Sequence, residues 1–121
     1  MINARMEILN NEVLDKCKSK GIEVYALKKS KSNCISFSTN NRKRREFEIT
    51  FLKDSKYRIS TRFTGYKKVM IENSTNFFVD EDPDGRRKRF NVNLDNEEAV
   101  NDMVLRMLEK GFSETPYIQR C

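Results

Sequence analysis

The chain of 121 residues is long enough for one domain, and its 37% hydrophobic and 35% charged residues leave room for a modest core. It contains no apolar stretch long enough to span a membrane, and Met1–Arg5 lacks the apolar run of a signal peptide, so we expect a cytoplasmic protein. Cys17, Cys34 and Cys121 are widely spaced and no histidine accompanies them, which argues against a zinc site and for reduced thiols.

The charge is unevenly distributed along the chain, which has a net charge of +6. Residues 21–70 hold thirteen basic and four acidic groups, a net charge of +9, whereas residues 71–121 hold seven basic and eleven acidic groups, a net charge of −4. A basic middle followed by an acidic end predicts a polarised surface that attracts polyanions on one side.

The first half of the chain predicts one helix followed by four strands. Apolar residues at three- and four-residue steps predict a helix over Asn3–Lys20, and Gly21 suits the left-handed residue after its end. The period then changes to two, which predicts strands of an antiparallel meander with one wet face. These strands begin at Ile22, Cys34, Glu46 and Tyr57, and the last of them includes Phe63.

The second half predicts a hairpin and a closing helix. Residues 64–76 fit either one helical turn or a strand. The turn signal Pro83-Asp84-Gly85 joins two alternating runs, and a helix capped by Asp95 and Glu98 ends at Gly111. The predicted fold is α+β: an antiparallel sheet of five to six strands flanked by an N-terminal and a C-terminal helix, in one domain of residues 1–112 with a loosely ordered tail at 113–121.

Catalytic signatures are scarce, so we expect no enzyme and no cofactor. Histidine, the commonest general base, is absent, and no phosphate or dinucleotide loop occurs. The run Asp80–Gly85 begins like a calcium loop but lacks its closing glutamate, so a turn is the better interpretation. The weakest alternative is a metal-dependent nuclease that uses Glu46, Glu48 and Asp54.

Clusters of basic residues are the main functional signal, because lysine and arginine neutralise phosphates and release counterions. The candidate nucleic-acid-binding residues are Lys28, Lys29, Lys31, Arg42, Lys43, Arg44, Arg45, Arg58, Arg62, Arg86, Arg87 and Arg89. Three tyrosines that could stack on bases lie among them, namely Tyr25, Tyr57 and Tyr66. The alternative is a solvated surface, and Arg86–Arg89 could pair with the acidic residues that precede them.

Several stretches resemble the C-terminal "double wing" DNA-binding domain of the phage middle-promoter transcription factor MotA. The resembling stretches are Leu14-Asp15-Lys16 with the strands from Ile22, the basic loop before Phe47-Glu48-Ile49, the Gly65-Tyr66-Lys67 triplet, and the closing hairpin and helix. The resemblance covers residues 14–109. It implies a concave sheet face that meets DNA through Lys28, Arg42–Arg45, Arg58 and Arg62.

We therefore expect a small DNA-binding, phage-type regulatory domain whose partner is nucleic acid, in a bacterial or phage-infected host cell. The alternative is a small phage-type protein that binds and inhibits or redirects a host nucleic-acid-processing or defence protein. Its contacts would lie on the acidic hairpin Asp80–Asp84 or on exposed aromatics such as Phe77 and Phe78.

Overall fold

The computed structural model describes residues 8–27, 33–40 and 45–112, which form an α+β structure with helices on one face of a six-stranded antiparallel sheet. The predicted fold class is confirmed, with helices near both ends of the chain flanking the sheet. In chain order the elements are α1 (Asn11–Ser19), β1 (Val24–Ala26), β2 (Cys34–Thr39), β3 (Phe47–Phe51), a short 3₁₀ turn (Lys53–Ser55), β4 (Tyr57–Thr61), α2 (Thr64–Glu72), β5 (Phe77–Glu81), β6 (Lys88–Leu94) and α3 (Glu97–Lys110).

The strand order of the sheet is β1-β2-β3-β4-β6-β5, and every neighbouring pair is antiparallel. The first four strands form the predicted meander. Helix α2 then carries the chain away from the sheet, so that β6 returns beside β4 while β5 becomes an edge strand. In the middle of the sheet Ile59 therefore lies opposite both Ile49 on β3 and Val92 on β6.

The core lies between the helices and one face of the sheet, because side chains of a strand alternate between its two faces. Ile49, Ile59 and Val92 point toward the helices and are fully buried, as are Val104 and Leu108 on α3. Burial of an aliphatic side chain of this size contributes about 1.5–3 kcal/mol. The sheet's other face is thereby left for polar residues.

Helix α1 begins later than the apolar spacing predicts. Within the described residues the prediction of a helix from Asn3 is wrong, because the Asn10 side chain accepts a hydrogen bond from the Val13 backbone N–H at 2.9 Å and caps the helix there. At the other end Gly21 has a φ of +79°, as predicted, and the Ile22 N–H donates to the Cys17 carbonyl.

Residues 64–76 contain a helix of more than one turn. Strand β4 ends at Thr61, so the prediction that Phe63 extends it is wrong, and Phe63 instead precedes α2. Gly111 ends α3 at a φ of −104°, and it is needed for close packing, since a Cβ there would lie 2.7 Å from the Gly65 carbonyl oxygen of α2.

The predicted hairpin is confirmed, whereas the predicted cap of the last helix is shifted by one residue. The Gly85 N–H donates to the Asp82 carbonyl at 2.8 Å, and Gly85 has a φ of +70°. The cap of α3 is Asn96, whose side chain accepts from the Ala99 N–H, because β6 continues to Leu94 and Asp95 is still in the connection. The capping box predicted for Asp95 with Glu98 is therefore wrong.

Candidate nucleic-acid interface

The sheet face opposite the helices, here called the open face, carries a continuous polar row across its strands. The strand register aligns Ser36, Glu48, Ser60, Asn91 and Phe78 on this face, from β2 to the edge strand β5. The second row, two residues along, is formed by Cys34, Thr50, Arg58 and Asn93. None of the described helices packs on this face.

The centre of the open face is more buried than its alternating pattern predicts. Ser60 and Asn91 are only 3% and 1% exposed, and the Ser60 hydroxyl donates to the Asn91 side-chain oxygen at 2.7 Å. The Asn91 amide in turn donates to the Arg89 carbonyl at 3.1 Å. The prediction of a wet face is therefore wrong for these two residues. These hydrogen bonds hold Ser60 and Asn91 in place between the arginines of the neighbouring positions.

A cleft of about 370 Å³ opens on this face and is lined by arginines from three separate segments. Arg45 precedes β3, Arg62 follows β4, and Arg87 and Arg89 lie around the start of β6. They meet because Thr61 is the register partner of both Phe47 on β3 and Phe90 on β6, which aligns the strand ends that these arginines flank. We call this site the arginine cleft.

The carboxylate of Glu48 lies among these arginines. It forms an ion pair with Arg45 and accepts a hydrogen bond from the Cys34 thiol at 3.0 Å. Partial burial alone would raise the pKa of Glu48, but the hydrogen bonds from Cys34 and Arg45, with the charges of Arg45 and Arg89, outweigh it and hold that pKa below its ordinary value. Burial and the bond to Glu48 raise the pKa of Cys34 to about 11, so the thiol is a protonated donor.

Glu46 lies on the other side of the sheet from Glu48. Its N–H donates to the Phe37 carbonyl although Phe47 is the register partner of Phe37, so two residues face one, as in a β-bulge. The bulge turns the Glu46 side chain toward the helices, where it is 1% exposed and accepts hydrogen bonds from the hydroxyls of Thr39 and Tyr66. Regular alternation with Phe47 would place Glu46 on the open face, and the bulge instead buries it on the helix side.

The predicted basic residues divide into three groups. The cleft brings together Arg45, Arg62, Arg87 and Arg89. Arg58 lies nearby on the open face, whereas Arg86 belongs to the hairpin turn and lies 3.6 Å from the Asp84 carboxylate, the local pairing that the sequence suggested. The remaining predicted residues lie outside the described part of the chain: Lys28, Lys29, Lys31, Arg42, Lys43 and Arg44.

Most of the aromatic residues named from the sequence do not provide exposed rings. Tyr66 is fully buried and Tyr57 is 8% exposed, so the prediction that they stack on bases is wrong. Tyr25 is half-buried on the open face, opposite Ser38. Phe77 stacks on Phe90 in the core layer and Phe78 is half-buried, so neither is the exposed aromatic that a protein-binding role was expected to use.

The carboxylates proposed for metal catalysis do not converge. Glu46 and Glu48 point to opposite faces of the sheet, and Asp54 lies in the turn at the far end of β3. Within residues 8–27, 33–40 and 45–112 no group of three or more acidic or cysteine side chains could hold a metal ion. In the same part of the chain no helix is long and apolar enough to cross a membrane.

The residues that support the arginines of the open face without being basic are absent from the sequence-based predictions of the binding site. Cys34, Ser60, Asn91 and Asn93 have no distinctive motif, and Glu48 was considered only as a metal ligand. The pairing of β4 with β6, from which their alignment follows, joins segments about 30 residues apart and has no local signal. No protein-family model, curated protein or solved structure matches the chain.

Proposed function

We propose that this protein binds nucleic acid, namely duplex DNA, and that the arginine cleft is its DNA-binding site, with arginines that hold the phosphate backbone. The observation that carries the proposal is the convergence of Arg45, Arg62, Arg87 and Arg89 from three segments of the chain, four guanidinium groups around one cleft in which Glu48 forms an ion pair with Arg45. Guanidinium groups bind phosphate oxygens in charge-assisted pairs, and each contact releases counterions from the nucleic acid.

The composition of the open face favours a duplex over a single strand. Single-strand binding relies on exposed aromatic rings on which successive bases stack. Tyr25 and Phe78, the aromatic residues that the described strands direct to the open face, are both half-buried, and the Arg58 guanidinium covers Phe78 at 5.1 Å from the ring centroid. Phosphate contacts therefore remain as the main source of affinity. The double-wing resemblance predicts the same use of a basic sheet face on DNA, in a phage-type regulatory role.

A binding titration tests the proposal. Fluorescence anisotropy would follow labelled duplex DNA, single-stranded DNA and RNA at about 50 and about 200 mM salt, the range over which phosphate-driven binding falls steeply. At the lower salt concentration we expect duplex DNA to bind more tightly than single-stranded DNA or RNA, and at the higher one we expect this binding to be lost. Arg87→Glu should weaken binding, whereas Arg106→Glu on α3, at the helix side of the molecule, should not. Equal affinity at both salt concentrations, or an equal effect of the two substitutions, would refute the proposal.

A second candidate function is binding to a protein, as an inhibitor or adaptor of a nucleic-acid-processing enzyme. It is favoured by the apolar side chains Val79, 41% exposed on the edge strand β5, and Ile71, 47% exposed on α2. An edge strand offers unpaired backbone groups to a partner strand. Affinity capture from nuclease-treated host lysate distinguishes the two functions, because a partner bound through DNA is lost after the treatment and a direct protein partner is retained.

A further inference from the structure

The arginines of the open face differ in how firmly their guanidinium groups are held. Arg45 is 58% exposed, but it forms an ion pair with Glu48, whose side chain is only 12% exposed. Glu48 is itself held by the Cys34 thiol at 3.0 Å, on the neighbouring strand β2. Through these contacts Cys34 and Glu48 hold the Arg45 guanidinium at its Nη1, while more than half of the side chain stays exposed.

Arg58 is held in a similar way by different groups. Its Nε donates to the Asn93 side-chain oxygen at 2.9 Å, and its guanidinium carbon lies 5.1 Å from the centre of the Phe78 ring. The hydrogen bond and the cation–π contact together set the plane of the guanidinium. No described residue accepts a hydrogen bond from the two terminal nitrogens of Arg58, so this pair of donors is available to a ligand.

Arg62 and Arg87 have no comparable support among the described residues. Both side chains are exposed, and the hydrogen bond found for Arg62 is a long one of 3.4 Å to the Lys88 carbonyl. Phosphate offers oxygens in several directions, so a guanidinium can bind it without being held in one plane. Recognition of a base edge requires instead a fork held in one plane, because two acceptors in a fixed geometry must be reached at once.

We propose that Arg45 and Arg58 read guanine in duplex DNA, each donating two hydrogen bonds to the N7 and O6 of a base, while Arg62 and Arg87 hold phosphates. Guanine is the base that presents two adjacent acceptors in the major groove, whereas adenine presents one acceptor and one donor. The five donors of a guanidinium match guanine and not adenine. This proposal deepens the proposed function and rests on it.

Binding to two duplexes of the same sequence tests the proposal, one with guanine and one with 7-deazaguanine at every guanine position. The substitution removes the N7 acceptor and leaves the phosphate charge and the base pairing unchanged. We expect the wild-type protein to bind the 7-deaza duplex at least about fivefold more weakly. This factor is the lower end of what a bidentate arginine–guanine pair contributes. Arg45→Ala/Arg58→Ala removes both guanine-reading side chains and should bind the two duplexes with nearly equal affinity. The matched control Arg62→Ala/Arg87→Ala removes the same charge and should discriminate as the wild type does.

Two further outcomes separate this proposal from the proposed function. If the wild-type protein binds both duplexes equally and with steep salt dependence, guanine reading is overturned and DNA binding stands. If it binds neither, both are overturned. Glu48→Gln removes the ion-pair partner of Arg45 and should also lower the discrimination between the guanine and 7-deazaguanine duplexes. If none of these variants changes that discrimination, the roles of Arg45 and Arg58 are contradicted.

Discussion

Removal of the three arginines of the cleft that have no ion-pair partner among the described residues should flatten the salt dependence of DNA binding. The variant is Arg62→Gln/Arg87→Gln/Arg89→Gln. Each neutralised phosphate contributes about 0.9 to the slope of log affinity against log salt, so the slope should decrease in magnitude by about 2.7. Between about 50 and about 200 mM salt the wild-type affinity should therefore fall about 40-fold further than that of the variant.

The assay is fluorescence anisotropy of a labelled duplex at four or more salt concentrations, with circular dichroism to verify that each variant is folded. The matched control removes the same charge from the helix side of the molecule, by Lys16→Gln/Lys18→Gln/Lys110→Gln on α1 and α3. It should leave the slope nearly unchanged. If the two triple variants flatten the slope equally, the net charge of the protein governs binding and the arginine cleft is not a site.

Three other predictions concern the stability of the fold. Tyr66→Phe removes one hydroxyl donor to the buried Glu46 carboxylate and should lower the free energy of unfolding by about 1–3 kcal/mol in urea titrations; an unchanged midpoint would contradict this. Gly111→Ala places a Cβ 2.7 Å from the Gly65 carbonyl oxygen and should cost about 1–3 kcal/mol, measured by thermal unfolding, where a raised melting temperature would be the contrary result. Because the folded state lowers the pKa of Glu48, the stability that its ionised form contributes is present above the ordinary value of 4.5 and is lost as the pH falls through the lower folded value. The wild type should thus be more stable than Glu48→Gln at neutral pH and lose that advantage on acidification, and a difference that is independent of pH would refute the assignment.

Much of the fold follows from local patterns. The two-residue period of the strands, the turn residues Pro83 to Gly85 and the left-handed Gly21 each have a physical cause that acts within a few residues, and these predictions are confirmed. The start of α1 could not be placed, because Ile8 and Leu9 continue the apolar spacing although Asn10 caps the helix after them. A short apolar run such as the one in α2 is compatible with either a helix or a strand.

The candidate site depends on contacts between distant parts of the chain, and for this reason it was only partly predictable. Arg45, Arg62 and Arg89 stand out by charge, but their convergence requires β6 to return beside β4. The burial of Glu46 depends on a β-bulge that the local sequence does not predict. Tyr66 is equally suited to a core and to a stacking surface, and only the position of α2 above the sheet decides between them.

The most direct test of DNA binding through the open face is a chemical-shift map of the isotopically labelled protein titrated with a short duplex. We predict that the amide signals of Glu48, Ser60 and Asn91, with the arginine side chains of the cleft, shift on binding, and that those of α1 and α3 do not. Shifts confined to the edge strand β5 and α2, or shifts spread evenly over the molecule, would contradict the assignment of the open face as the DNA-binding surface.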